Sequence, residues 1–365
     1  MTTIQVKIPA VPEGSYPIEI GSGIIGSLWS ELETRFSKKA KFIVTDSNLV
    51  KAGHFAALIG KNKVEHFVID PPGEVSKNIK TVTDIIESME AAKFGRDSLV
   101  IALGGGTVGD IAAFCAAIFK RGISVVQIPT TTVAQADSSV GGKTGVDSTV
   151  SKNAFGAFWQ PAAVYIDTDV LQTLPKEQYN AGLVESVKHA LIADSEYFEF
   201  FENNIEAILN RDSKVLQEIA YKNCQIKAAV VAEDPTEKNR RRVLNYGHTI
   251  GHAIETASNF DLLHGQSVAI GIIAAGLIEK KLGLATDDRG QRVRNLFKKL
   301  DMPLKTPPAI DKKDLINIVK YDKKAVNKWP KFVLLKEIGS ALCKNRQWAH
   351  EVSKQIVEEV LDELY

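Results

Sequence analysis

The chain has 365 residues, 44% apolar and 24% charged, with a formal net charge of +1. That length exceeds one ordinary core, so two domains are expected, in the composition range of a globular enzyme. Near-neutral charge excludes nucleic acid or an anionic membrane as the main partner, while allowing a local cluster of cations around a small anion. The cysteines Cys115, Cys224 and Cys343 lie far apart with no CxxC pair, which implies a reducing compartment and no disulfide framework. No signal-peptide core opens the chain, and the longest apolar run, 268–278, is too short for a bilayer; a cytoplasmic protein is expected.

Residues 4–8 and 16–20 read as short strands in a hairpin-like start, separated by Pro9, Pro12 and Gly14. Strand and helix then alternate. Apolar β-branched runs at 41–45, 64–69, 98–103, 124–128 and 163–166 predict strands; 49–59, 79–92 and 108–119 predict helices. Alternation of this kind means βαβ units and a mainly parallel sheet, whose ligands bind at the carboxyl ends of strands. Beyond Pro175 the apolar period turns helical: 177–192, 196–209, 213–232, 246–258, 266–282, 287–300, 311–320 and 350–363, with a short strand at 332–335. The expected division is an α/β domain over 1–176 and a mainly α-helical domain over 177–365.

The segments that follow the strands carry the chemistry. Gly104, Gly106 and Gly109 match G-x-G-x-x-G between a predicted strand and helix, where backbone N–H groups can approach a pyrophosphate. The acidic residue expected some twenty positions on is missing, and the motif follows the third strand of the alternation. A tight turn without ligand remains open. Asp46, at the end of the first strand of the alternation, suits a ribose or adenine amine, or a helix N-cap. Residues 129–153 form a long, small, polar and glycine-rich stretch of the kind that is usually functional. Its Gly-Gly-Lys-Thr lacks the first glycine of a phosphate loop, because position 137 is Asp; an NTPase is rejected.

His248 and His252 stand four residues apart on a predicted helix, one turn apart on one face, beside Arg240, Arg241, Arg242 and Asn245; His264 follows. Clustered imidazoles can ligate a divalent metal, and ordinary helix histidines are the alternative.

Together these stretches resemble the 3-dehydroquinate synthase family of sugar-phosphate cyclases. The resemblance lies in Gly104-Gly105-Gly106 to Asp110, Gln135 to Thr144, Lys152-Asn153, Glu185-Ser186-Val187-Lys188, Leu244-Asn245-Tyr246-Gly247-His248-Thr249 to Glu255, His264-Gly265 and Asp322-Lys323-Lys324. It implies an N-terminal Rossmann-like NAD-binding domain, a helical metal-binding domain, and substrate in the cleft between them. By position it implies zinc (or cobalt) on Glu185, His248 and His264, with His252 facing substrate. NAD would meet Asp46, Asn48, Glu74, Lys77, Gly105, Gly106, Asp110, Thr130, Thr131, Asp137, Ser138, Lys152, Thr173 and Leu174. Substrate would meet Arg121, Lys143, Asn153, Lys188, Lys227, Arg241, Asn245, His252 and one of Lys323 and Lys324. Lys143, Lys188, Asn245 and His252 would act in catalysis, and Arg121 would reach a neighbouring subunit's site, implying a homodimer. Small departures, such as Ala154-Phe155 and Thr132-Val133, alter packing without removing a charged or ligating group.

The implied substrate is 3-deoxy-D-arabino-heptulosonate 7-phosphate, a polyanion that needs several cations. The implied reaction is transient oxidation by NAD, β-elimination of phosphate, reduction, ring opening and aldol closure. Alternatives are a cyclase acting on another sugar phosphate, or a metal-dependent polyol dehydrogenase of related fold.

Overall fold

Ten strands and thirteen helices build the computed structural model, which describes residues 14–259, 261–320 and 329–365. In chain order the first half runs β1 (Ile18–Gly21), α1 (Ile25–Arg35), β2 (Ala40–Asp46), α2 (Ser47–Lys51), α3 (His54–Ile59), β3 (Glu65–Ile69), α4 (Ile79–Ala91), β4 (Ser98–Gly104) and α5 (Gly106–Ile118). It continues with β5 (Ser124–Pro129), β6 (Lys143–Val146), β7 (Phe155–Phe158) and β8 (Ala163–Asp167). Six strands form one sheet in the order β1-β8-β5-β4-β2-β3, every pairing parallel.

The strands are apolar on both faces because helices cover both. Val100 and Ala102 of β4 pack with α4 and α5 through Ile85, Met89 and Ile111. Leu99, Ile101 and Leu103 point the other way, onto Leu28 and Leu32 of α1 and Leu58 of α3. From β2 the sheet grows outward to β3 on one side and to β4, β5 and β8 on the other. The carboxyl ends of β2 and β4 therefore flank the point where the strand order reverses, the usual ligand crevice of such sheets.

The second half is helical: α6 (Lys176–Ala193), α7 (Ser195–Leu209), α8 (Ser213–Glu233), α9 (His248–Ala257), α10 (His264–Lys281), α11 (Asp287–Lys299), α12 (Lys312–Lys320) and α13 (Lys354–Glu363). A two-stranded ribbon, β9 (Leu335–Glu337) and β10 (Ser340–Ala341), packs beside α6. Helices α6 and α10 are buried along most of their length. Helix α10 meets both neighbours where it has no side chain: a Cβ on Gly265 would lie 1.8 Å from the Ala181 carbonyl oxygen of α6, and one on Gly271 would lie 2.0 Å from that of Gly247, at the start of α9. Among the described residues no helix is long and apolar enough to cross a membrane.

Several expectations are corrected. Strand β1, overlapping the expected 16–20 segment, pairs parallel with β8 far along the chain, and its expected hairpin partner at 4–8 lies outside the described residues. Helix α1 was not expected, although Ile25, Leu28, Trp29 and Leu32 follow a helical stripe. Its first turn is held by the Asp167 carboxylate, which accepts from the Gly23 and Ile25 N–H groups at 2.8 Å. The 49–59 helix is two helices, parted at Gly53, whose φ of 84° leaves the helical region. The 332–335 strand shifts to β9, with Phe332 in a single bridge to His350. The last helix starts at Lys354. Inside the 129–153 stretch stand a π-helical turn, Ala134–Ser138, and the antiparallel pair β6–β7.

Candidate active site

On the sheet side, the turn after β4 is built by contact. A Cβ on Gly105 would lie 3.0 Å from Thr131 Cγ2, and one on Gly106 3.0 Å from Ser138 Oγ. Gly105 offers no side-chain cap to α5, which leaves the first N–H groups of that helix available to an anion. Thr130, at the end of β5, donates its N–H to the Gly104 carbonyl at 3.0 Å and keeps its buried hydroxyl unpartnered. The structure thus brings Gly105, Gly106, Thr130, Thr131 and Ser138 together. Lys77 is buried beside them, 2.7 Å from Asp110; Asp110 and Glu74 hold its ammonium above the usual lysine range against the pull of burial. Glu74 accepts from Thr107 Oγ1 at 3.2 Å and stands 3.2 Å from Lys152 Nζ.

Asp46 caps α2, accepting from the Asn48 and Leu49 N–H groups at 2.9 and 3.1 Å, so its N-cap role is realised. Thr173 is tied to His54 at 2.6 Å, and Leu174 is partly buried against the helical core. Asp137, next to Ser138, faces two lysines of the helical half. It pairs with Lys227 and lies 4.0 Å from Lys188, on the helical side. Burial opposes its charge, but Lys227 and Lys188 hold its carboxyl well below the usual range.

On the helical side three segments converge. Glu185 on α6 places Oε1 3.5 Å from His248 Nε2 and 3.4 Å from His264 Nε2, while its other oxygen takes Lys188. His248, His252 and His264 each offer a ring nitrogen within 4.8 Å of the others. The His248 Nδ1–H donates to the Tyr246 carbonyl at 3.0 Å, which leaves Nε2 as a lone pair facing Glu185. Burial keeps His248 neutral, well below its ordinary value. Against burial, Glu185 and Glu255 raise His264 to about 9.

These residues fit a divalent cation. Glu185 Oε1 is buried with no hydrogen-bond partner, a costly state for a carboxylate oxygen, and two imidazole nitrogens point at the same spot. One carboxylate and two imidazoles with room beside them is a catalytic zinc donor set. The exposed His252 ring stands 5.0 Å from that of His248 and 5.7 Å from that of His264, at the edge of the cluster.

Around the cluster lie the anticipated cations. Arg241 is 1% exposed and donates through Nη1 to the Gly141 and Pro235 carbonyls, both at 2.8 Å. Lys227 is buried between Asp137 and Arg241, and burial pulls its ammonium below the usual range. Lys143 pairs with Glu237, and Asn245 Nδ2 donates to the other Glu237 oxygen at 2.7 Å. Asn153 is left-handed at φ 50°, its N–H held by Asp147 at 2.6 Å. Arg121 is not brought in: it lies past the far end of α5, about 20 Å of helix from the glycine turn. Lys323 and Lys324 lie outside the described residues. Two residues at the site, Glu237 and Glu255, carry no role in the sequence reading. Glu255 had a signal, standing seven positions after His248 on the same helix face; Glu237 had none.

Comparisons with known proteins agree on one family. The 3-dehydroquinate synthase N-terminal model matches residues 66–181, and the C-terminal model residues 182–325. A 3-dehydroquinate synthase of Ruminiclostridium cellulolyticum is 44% identical over 341 residues, covering 92% of this chain and 93% of its own. One from Shewanella loihica is 38% identical over 99% of each. Among solved structures, a 2-deoxy-scyllo-inosose synthase complexed with carbaglucose-6-phosphate, NAD+ and Co2+ superposes with a TM-score of 0.85 at 28% identity, over 95% of this chain and 96% of its own. A 2-epi-5-epi-valiolone synthase from Streptomyces hygroscopicus with NAD+ and Zn2+ bound reaches 0.87 at 25% identity, over 98% and 99%.

Proposed function

The chain belongs to the 3-dehydroquinate synthase family, and from that membership we propose that it converts 3-deoxy-D-arabino-heptulosonate 7-phosphate to 3-dehydroquinate and phosphate. It is an enzyme of the lyase type, in the same α/β-plus-helical architecture as NAD-bound, metal-bound cyclases. The observation that carries the reading is the meeting of Glu185, His248 and His264 beside a buried set of cations. When bound there, a divalent cation would supply Lewis-acid polarisation of a substrate oxygen, and NAD at the glycine turn a reusable hydride carrier.

The protein's own groups account for the rest. Arg241 presents a planar fork suited to a carboxylate, with Lys227 beside it. Lys143 and Asn153 border the glycine-rich loop and suit the phosphate, joined by Lys323 or Lys324 and by Arg121 from a second copy. Lys188, buried against Glu185 and Asp137, supplies fixed positive charge where negative charge develops. Asn245 orients hydroxyls. His252, exposed at the mouth, can donate and accept a proton. We take residues 1–176 as the NAD domain and 177–365 as the metal domain, and the working form as a cytoplasmic homodimer.

The deciding assay adds the sugar acid phosphate to the purified protein with catalytic NAD and zinc. Phosphate release far beyond the NAD present, with no net NADH, is expected. NADH accumulating one-for-one with substrate would instead point to a dehydrogenase.

A further inference from the structure

Glu255 lies on α9 seven positions after His248 and three after His252, on the face that meets the histidine cluster. The residue is 6% exposed. Its Oε2 stands 3.5 Å from His264 Nδ1, on the side of that ring opposite Glu185, which faces Nε2 at 3.4 Å. Its Oε1 stands 3.1 Å from Lys152 Nζ, and Lys152 in turn reaches Glu74 at 3.2 Å. A buried carboxylate this well paired has a defined place, and that place is behind a histidine whose front nitrogen faces the candidate metal position.

Metal-ligating histidines commonly donate their second ring N–H to a carboxylate, which fixes both tautomer and ring orientation. His248 obtains this from the Tyr246 carbonyl. At His264 the group standing at Nδ1 is the Glu255 carboxylate. We propose that Glu255 is the positioning residue of His264: it holds the proton on Nδ1, turns Nε2 toward Glu185 and the metal, and is itself held in place by Lys152 from the sheet side of the cleft. This rests on the reading of Glu185, His248 and His264 as metal ligands.

The test uses the full-length protein stripped of metal. Zinc affinity is measured by chelator competition for the native chain, E255Q, E255A and H264A, with far-UV circular dichroism and a thermal melt to establish folding. E255A is expected to bind zinc about 10–100-fold more weakly. E255Q, which keeps shape and an acceptor oxygen, is expected between E255A and the native chain. The Co2+-substituted forms give a second readout, since a turned His264 shifts the visible ligand-field bands and a remote packing defect does not. Should E255A be poorly folded, E255Q carries the comparison alone. Native zinc affinity and an unchanged cobalt spectrum in a folded Glu255 variant, with zinc lost in H264A, would overturn the positioning role. Native affinity in H264A as well would place the failure in the metal reading itself.

Discussion

The glycine turn after β4 and the histidine cluster among α6, α9 and α10 are two halves of one crevice made from different materials. At the turn, the binding groups are backbone N–H groups, and the side chains that matter are those left out: Gly105 and Gly106 admit Thr131 and Ser138 at 3.0 Å. Strand, turn and helix are contiguous there, so the geometry follows from local chain direction. At the cluster, the groups on offer are side chains from three segments, several of them charged and buried. Glu185 and Lys188 are at most 1% exposed, and Arg241 equally so. Buried charges are tolerated when paired, so removing one member leaves another exposed to a penalty of several kcal/mol. The turn should therefore be forgiving and the cluster brittle.

The largest expected effect breaks the cluster. Replacing His264 with Ala should abolish zinc retention and lower turnover roughly a thousandfold or more, because several kcal/mol of charge stabilisation go with the metal. Metal content after dialysis and steady-state rates check this together. Next is Arg241→Ala, which should reduce kcat/KM for the acid substrate about 10–100-fold, mainly through KM, given roughly 1.5–3 kcal/mol for a charged hydrogen bond. A KM within twofold of native would point to a cyclase whose substrate lacks the carboxylate. The packing that aims the ligands is tested by Gly271→Ala. Its new methyl meets the Gly247 carbonyl, next to His248, and should destabilise by about 1–3 kcal/mol while weakening zinc binding. Thermal melts with and without zinc separate the two effects.

The turn gives the contrast. Gly106→Ala needs Ser138 to give way by only a few tenths of an ångström, and should raise KM for NAD several-fold, about 1 kcal/mol, with zinc binding untouched. If it abolished activity as fully as His264→Ala, the contrast between the halves would fall. A pH-dependent effect on stability comes from Glu279 on α10. Burial pushes its carboxyl up from 4.5 to about 7, although Arg289 and the Leu335 N–H oppose this. The folded protein then holds this proton more tightly than the unfolded chain between pH 4.5 and 7. Stability carried by Glu279 is present below pH 4.5 and lost as pH rises toward 7, by up to about 3 kcal/mol. Urea melts at pH 5 and pH 8 should show the native protein losing stability relative to E279Q. A pH-independent difference would mean that Arg289 keeps the group ionised.

How much of this was legible beforehand follows the same division. The parallel sheet, the glycine turn and the helical second half could be read in order, because each rests on periodicity or on a run of neighbouring residues. The readable pattern ran out where a distant partner decides: β1 pairs with β8, and α1 starts at the Asp167 carboxylate. Asp137 stands in the polar loop, and its pairing with Lys227 and Lys188 comes from two separate helices.

By itself the sequence determined which residue types are present and where the chain turns from strand to helix, since hydrophobic period and glycine placement act within a few residues. Only the tertiary structure decided that Glu185, His248 and His264 face one point, that Glu237 joins Lys143 and Asn245, and that Glu255 stands behind His264. The physical reason is that these groups come from separate segments, and for the histidine cluster α10 meets α6 and α9 at glycines, where backbones approach closely enough to aim side chains at a shared position.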